Sequence, residues 1–305
     1  MNKESLLLDL IWVLNSEYLI RHPINFSETK REKLRSSLSS HLMNDNESSS
    51  KILESFPNLE SGRLGRYFES LLGFIFSKSD YVRLLDKNIP IRNSNKTLGE
   101  FDFLLECENN ENIHLEVALK FYLKLKQEPN LSSYIGPNGM DRLDLKLSKL
   151  FNNQLTLSQR TEGKDYLERK YGKPFTPMLW ITGFLFYPID EYLSGNYKKS
   201  LLSDLNFHHS AGFWVSWEDR LEVPQTKLNS YYSIPARLSW LMNYPINSDV
   251  YTYDALITFL KNLEDPGFSI LIIEWDQVGI IPRELSRGFL VSRKLIEAVS
   301  LMNES

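Results

Sequence analysis

A single cysteine, Cys107, stands in a chain of 305 residues. One thiol excludes an intrachain disulfide and any zinc site built on cysteine pairs, and it suits a reducing compartment, so the expected location is cytoplasmic. The five histidines (His22, His41, His114, His208 and His209) show no zinc-ligand spacing, and each reads as a satisfied structural residue. No apolar run approaches the roughly 20 residues of a bilayer span, so no membrane partner is expected; the stretch Phe268–Ile273 is strand-sized. Asp9 interrupts the apolar Leu6–Leu14, and no small-residue cleavage site follows, which points to a buried helix and not a signal peptide. Excess positive charge is missing too. Lys and Arg total 35 against 39 Asp and Glu, a net charge of -4, so any nucleic-acid surface must be local. A Walker-type phosphate loop, a nucleophile elbow and a dinucleotide fingerprint are all absent from the sequence.

What is present is the composition of a soluble globular protein, 42% hydrophobic and 24% charged, long enough for one large domain or two modest ones. Apolar spacing predicts a helix over residues 1–20 and a short helical pattern around Lys30–Leu42, with a Ser-rich loop at Asn44–Ser50. Leu64, Tyr67, Phe68, Leu71, Leu72 and Ile75 form a helical stripe. Strands are expected at 81–92, 98–106 and 112–123, the last two joined by a turn at Asn109–Asn112. Gly136-Pro137-Asn138-Gly139 breaks the chain before a helix whose buried side carries Leu143, Leu147, Leu150, Phe151 and Leu155. Residues 158–176 read as loop with some helix, and Met178–Tyr187 as a strand covered on both faces. Beyond it, strands are expected at 211–218 and 268–275 and helices at 252–263 and about 291–302. The expected organisation is a helical N-terminal extension (1–60), an α/β core (61–187) with a sheet of about four strands, and a mixed C-terminal extension (188–305).

One stretch proposes chemistry. Gly99-Glu100-Phe101-Asp102 opens one strand of a hairpin, and His114-Leu115-Glu116-Val117-Ala118-Leu119-Lys120 lies on the next. Alternation puts Glu100, Asp102 and Leu104 on one face of the first strand, with Phe101, Phe103 and Leu105 opposite. On the second strand His114, Glu116, Ala118 and Lys120 share a face, so Asp102 can meet Glu116 across the hairpin. Two close carboxylates repel unless a proton, a cation or a base intervenes, and hard cations such as Mg²⁺ prefer such oxygens. Glu69, on the preceding helix, is flanked at i−4 and i+4 by Gly65 and Gly73, a strip that would let another backbone approach.

In the order of its elements, residues 61–187 resemble the PD-(D/E)XK phosphodiesterase superfamily, whose restriction-endonuclease-like core runs α-β-β-β-α-β. The resemblance rests on Glu69, on Gly99-Glu100-Phe101-Asp102 and on Glu116. The wider chain is similar to an uncharacterised bacterial family placed in that superfamily, through Leu10–Ser16, Ile135–Asn138 leading into Asp141–Leu147, and Arg287–Val291. The resemblance implies a nuclease acting on DNA or RNA, with Asp102 and Glu116 as ligands of Mg²⁺ or Mn²⁺ and Glu69 as an accessory acid. It also implies a lysine two residues after the second acid, where this chain has Ala118. Lys120 keeps the strand face but lies about 13 Å along the strand, and a lysine side chain reaches roughly half that. Lys146, on the following helix, is the second candidate.

The alternatives are structural. Asp102 and Glu116 could be solvated residues of an edge hairpin, and Lys120 could be an ion-pair partner of Glu116 or Glu100. Arg63, Arg66 and Arg142 read as solvated helix charges, Asp141 as a helix cap, and Trp214, Trp217, Tyr231, Tyr232 and Trp240 as core more than as base-stacking platforms. The competing function is a binding or scaffold protein on a nuclease fold without the reaction, in keeping with Ala118 and the acidic net charge.

Overall fold

Burial decides where this chain coils and where it extends. The computed structural model describes residues 3–43, 54, 56, 63–94, 96–241, 250–276 and 282–301, so the expected loop at Asn44–Ser50 lies outside the described residues. The chain divides into two units: Met1–Leu119 with Lys146–Thr182, and Lys120–Leu145 with Gly183–Ser305. The fold is mixed α/β, with helices and a large mixed sheet in place of the roughly four-stranded one expected.

The first unit begins with α1 (Lys3–Asn15) and α2 (Glu28–Met43). The helix expected over 1–20 stops at Asn15, whose side-chain amide bonds back to the Ile11 carbonyl at 2.8 Å. Tyr18, Leu19 and Ile20 are all buried, which a one-sided helical stripe cannot achieve, so the chain extends there. Leu19 N–H reaches the Ile181 carbonyl at 3.0 Å and Phe26 N–H that of Leu179 at 2.9 Å. The buried Arg31 guanidinium donates to the carbonyls of Leu14 (2.8 Å) and Ser16 (2.6 Å), satisfying acceptors that the end of α1 leaves open.

The apolar stripe over 64–75 forms α3 (Leu64–Ser77). β1 (Val82–Asn93) and β2 (Lys96–Cys107) then make a long antiparallel hairpin, and β2 pairs with β3 (Asn112–Lys124) from Phe103↔Leu115 to Glu106↔Asn112. Strict alternation fails on β2. Phe101 packs against the rings of His114 and Tyr166, whereas Phe103 packs against Phe76 of α3. After β4 (Tyr134–Ile135) comes α4 (Leu143–Lys149), which continues as a π-helical turn, Leu150–Gln154. The segment read as loop with some helix contains α5 (Thr161–Tyr171), and β5 (Thr176–Pro188) follows.

In the second unit β5 runs parallel to β6 (Ser210–Ser216), which runs parallel to β10 (Arg283–Val291). β9 (Ile270–Asp276) lies antiparallel to β10, followed outward by β7 (Tyr231–Ser233) and β8 (Val250–Thr252). Phe213, Val215, Trp217, Tyr232, Leu256 and Leu290 make the core here, so two of the aromatics considered for base stacking are packing residues. No helix among the described residues is long and apolar enough to cross a membrane.

Candidate functional site: an acidic cluster at the end of a hairpin

The β2–β3 ladder ends at Phe103↔Leu115, one residue short of the acids. Beyond it the Asp102 carboxylate takes the place of a backbone carbonyl and accepts the Val117 N–H at 2.9 Å. Glu116 stands on the adjoining strand, fully buried, close enough for the Asp102 and Glu116 carboxyl groups to shift one another's pKa. The hairpin therefore brings the two predicted acids together because β2 peels away from β3 at Asp102.

Both Glu116 oxygens have further partners. Oε1 lies 2.7 Å from His114 Nε2, and Oε2 accepts from Gln154 Nε2 at 2.5 Å. His114, also fully buried, places Nδ1 3.2 Å from Ser158 Oγ. Gln154 comes from the π-helical turn, and its Oε1 accepts from Lys146 Nζ at 3.2 Å. π turns are often found where a helix carries function, because the extra residue re-aims a side chain.

Electrostatics bind Glu69 into the same group. Burial, then the charges of Asp102 and Glu100, push Glu69 up to about 7. Burial pushes Asp102 up to about 8, with the Glu116 charge adding to it and the Val117 N–H and Lys146 opposing it. Burial likewise lifts Glu116 to about 7 against the pull of Lys146. His114 moves the other way, down to about 4, because burial disfavours the imidazolium. The charge of Lys146 acts against the rise at all three carboxyl groups.

The structure thus gathers Glu69, Asp102, Glu116 and Lys146 in the first unit. Lys120 belongs to the second unit, where its ammonium pairs with Asp141. That ion pair corrects the expectation of a Glu116 or Glu100 partner, and Asp141 is a counter-ion as well as a loop residue. Arg142 forms a two-pronged pair with Asp144, at 2.7 and 2.8 Å. The glycine strip beside Glu69 admits no close backbone: a Cβ on Gly65 would meet nothing within 4 Å, and one on Gly73 only the Phe103 and Lys87 side chains.

Sequence reasoning reads His114 as an ordinary buried histidine and does not single out Gln154 or Ser158. His114 sits at i−2 from Glu116 on one strand face, which is a usable signal; Gln154 and Ser158 enter from a helix end and carry none. Glu274 of β9, in the second unit, also escapes such reasoning. It accepts from Thr226 N (2.9 Å), Lys227 N (3.3 Å), Ser230 Oγ (2.7 Å), Tyr232 Oη (3.1 Å), Thr226 Oγ1 (2.7 Å) and Ser286 Oγ (2.9 Å). Six donors occupy both its oxygens, so its role is to tie residues 226–230 to the sheet.

As to cations, among the described residues no group of three or more His, Cys, Asp or Glu side chains has the arrangement of a metal cage.

A family profile for a domain of unknown function, DUF1853, matches residues 8–291. The chain belongs to the DUF1853 family. The match takes in all four residues of the acidic cluster and runs through both units, so the cluster is part of the DUF1853 domain itself. No curated protein and no solved structure matches this DUF1853 chain.

Proposed function

We propose that this DUF1853 protein is a nuclease-like phosphodiesterase of the PD-(D/E)XK kind, acting on DNA or RNA with Mg²⁺ or Mn²⁺ held by Asp102 and Glu116. The observation that carries the reading is the convergence of Glu69, Asp102 and Glu116 from three elements within the field of one amino group, Lys146. The element order supports it: α3, β1, β2, β3, α4 and β5 follow the α-β-β-β-α-β core, with β4 and α5 inserted. A bound divalent ion would lower the pKa of a water and neutralise charge developing on the phosphate. Glu69 acts as the accessory acid that orients water at the rim, where it is only partly buried. Lys146 takes the place of the lysine that Ala118 replaces; its ammonium attracts a phosphate oxygen and keeps Gln154 on Glu116. Lys120, engaged by Asp141, is assigned a structural part. The free, buried Cys107 suits action in the cytoplasm.

The test is a calorimetric titration with Mn²⁺ of the parent chain and of Asp102→Ala, followed by cleavage assays on single-stranded, duplex and branched DNA and on RNA. Binding that Asp102→Ala abolishes is expected, with cleavage lost in Lys146→Ala. Equal, negligible binding by both proteins overturns the reading. A second reading, a binding or scaffold protein that has lost the reaction, is favoured by one observation: both Glu116 oxygens are already engaged, by His114 and Gln154. Mn²⁺ binding without cleavage of any of these substrates selects it.

A further inference from the structure

Glu116 is gripped at the back of the acidic cluster by a chain of side chains that the proposed reaction does not use. Its Oε1 faces His114 Nε2 at 2.7 Å, and His114 Nδ1 faces Ser158 Oγ at 3.2 Å. All three residues are buried. A neutral imidazole has one N–H, so its two nitrogens play opposite parts, one donating and one accepting. Oε2 of Glu116 already accepts from the Gln154 amide. For Glu116 to stand as a carboxylate, Oε1 must accept as well, which places the proton of His114 on Nε2. Nδ1 then needs a donor, and the Ser158 hydroxyl is the group at that nitrogen. The ring is also braced sideways, with Phe101 edge-on at 4.5 Å and 72°.

We propose that Ser158 and His114 are a positioning pair: the Ser158 hydroxyl fixes the Nε2–H tautomer of His114, which in turn aims the Glu116 carboxylate. Their value to a divalent ion rests on the reading of Asp102 and Glu116 as its ligands; the orientation of Glu116 does not. Ser158 can do this only while its hydroxyl is drawn inward. It lies in the turn Leu157–Gln159 and forms part of the wall of a cavity of about 430 Å³, with Gln159, Lys164 and Phe175 among its other residues. The cavity gives the hydroxyl an alternative direction. Ser158→Thr is the conservative variant, because it keeps the hydroxyl donor.

Two measurements on the full chain test the pair. The first is a long-range ¹H–¹⁵N correlation on ¹⁵N-histidine-labelled protein without metal, with His114 assigned by its loss in His114→Gln. The parent and Ser158→Thr are expected to show the Nε2–H tautomer, and Ser158→Ala a mixture. A parent holding the Nδ1–H tautomer, or a tautomer indifferent to Ser158→Ala, overturns the proposal. The second is Mn²⁺ affinity, where loss of a residue that orients a ligand weakens binding roughly 10- to 100-fold. Ser158→Ala is expected to fall at the lower end of that range in the parent and to cost nothing in the His114→Gln background, where the glutamine amide donates to Glu116 unaided. An equal cost in both backgrounds overturns the pair. Should the parent bind no Mn²⁺ while its tautomer still depends on Ser158, the cation reading fails and the positioning of Glu116 stands. Should His114→Gln not fold, the contrast between Ser158→Ala and Ser158→Thr decides by itself.

Discussion

Raising the pH from 5 to 8 without divalent ions should destabilise the first unit, and Asp102→Asn should remove much of that loss. Asp102 is pushed from 3.8 up to about 8, and Glu69 and Glu116 from 4.5 to about 7. A carboxyl group whose pKa is higher in the folded than in the unfolded chain binds more protons when folded. Its stabilisation is present below the unfolded value and is lost as pH rises through the folded one. At about 1.4 kcal/mol per pH unit, Asp102 alone sets an upper limit of roughly 4 kcal/mol over the three units from pH 5 to 8. Asp102 and Glu116 interact, so their contributions do not add, and the His114 imidazole, held down to about 4, opposes them by up to about 2 kcal/mol as pH rises from 5 through 6.5; we expect a net loss of about 2–4 kcal/mol. At about 2–4 °C per kcal/mol, the melting temperature should fall by roughly 5–15 °C. An asparagine at this position imitates a protonated aspartate: its oxygen still accepts the Val117 N–H and its amide donates to Glu116. Asp102→Asn should therefore be the more stable protein at pH 8. The assay is thermal denaturation across this pH range in an Asp9→Asn background, because Asp9, buried against Tyr67, is itself raised to about 7 and would add the same trend. A melting temperature that is flat or rising from pH 5 to 8, or a fall that Asp102→Asn leaves intact, refutes the reasoning.

Lys146→Ala should strengthen Mn²⁺ binding by severalfold in calorimetry while abolishing cleavage, since it removes a positive charge that competes for the same carboxylates; Lys120→Ala should change neither. Glu274→Gln should cost about 2–4 kcal/mol in urea denaturation, because an amide nitrogen then faces hydrogen-bond donors in a buried setting. Gly183→Ala should give little soluble, folded protein by circular dichroism, because a Cβ there would stand 1.8 Å from the Lys120 carbonyl oxygen at φ +134°.

The legible parts of the fold are those with one dominant period. The α3 stripe and the strands β1, β2, β3 and β5 lie within about two residues of where alternation and apolar runs put them. Tyr18–Ile20 mislead the helical reading because their apolar spacing fits a helix, while their burial on all sides requires extension beside β5. β7 and β8 have three residues each, too short for any period to register. β10 escapes recognition because Arg283, Glu284, Ser286 and Arg287 look like loop; Arg287 is buried all the same, with Nη1 on the Trp240 carbonyl at 2.7 Å and Glu284 on its other side. Polar residues that satisfy one another inside a sheet erase the pattern on which strand recognition depends.

The candidate site is legible by the same logic and only to the same depth. Asp102 and Glu116 lie just past the end of the β2–β3 ladder, close enough to it for strand spacing to bring them near one another even though alternation fails on β2. Lys146, Gln154 and Ser158 come from the helical segments between β4 and α5, and their meeting with Glu116 depends on a π turn that no spacing rule anticipates. Arithmetic along the strand points to Lys120, the residue that keeps the face; its ammonium pairs with Asp141, and the charge that acts on Glu116 is that of Lys146, far off in sequence. A carboxylate pair on a hairpin marks where chemistry can occur. The cation that completes it is chosen by tertiary packing, so the strand that carries the acids need not carry their lysine. Ala118 is thus compatible with a complete cluster, and the motif position counts for less than the charge that reaches Glu116.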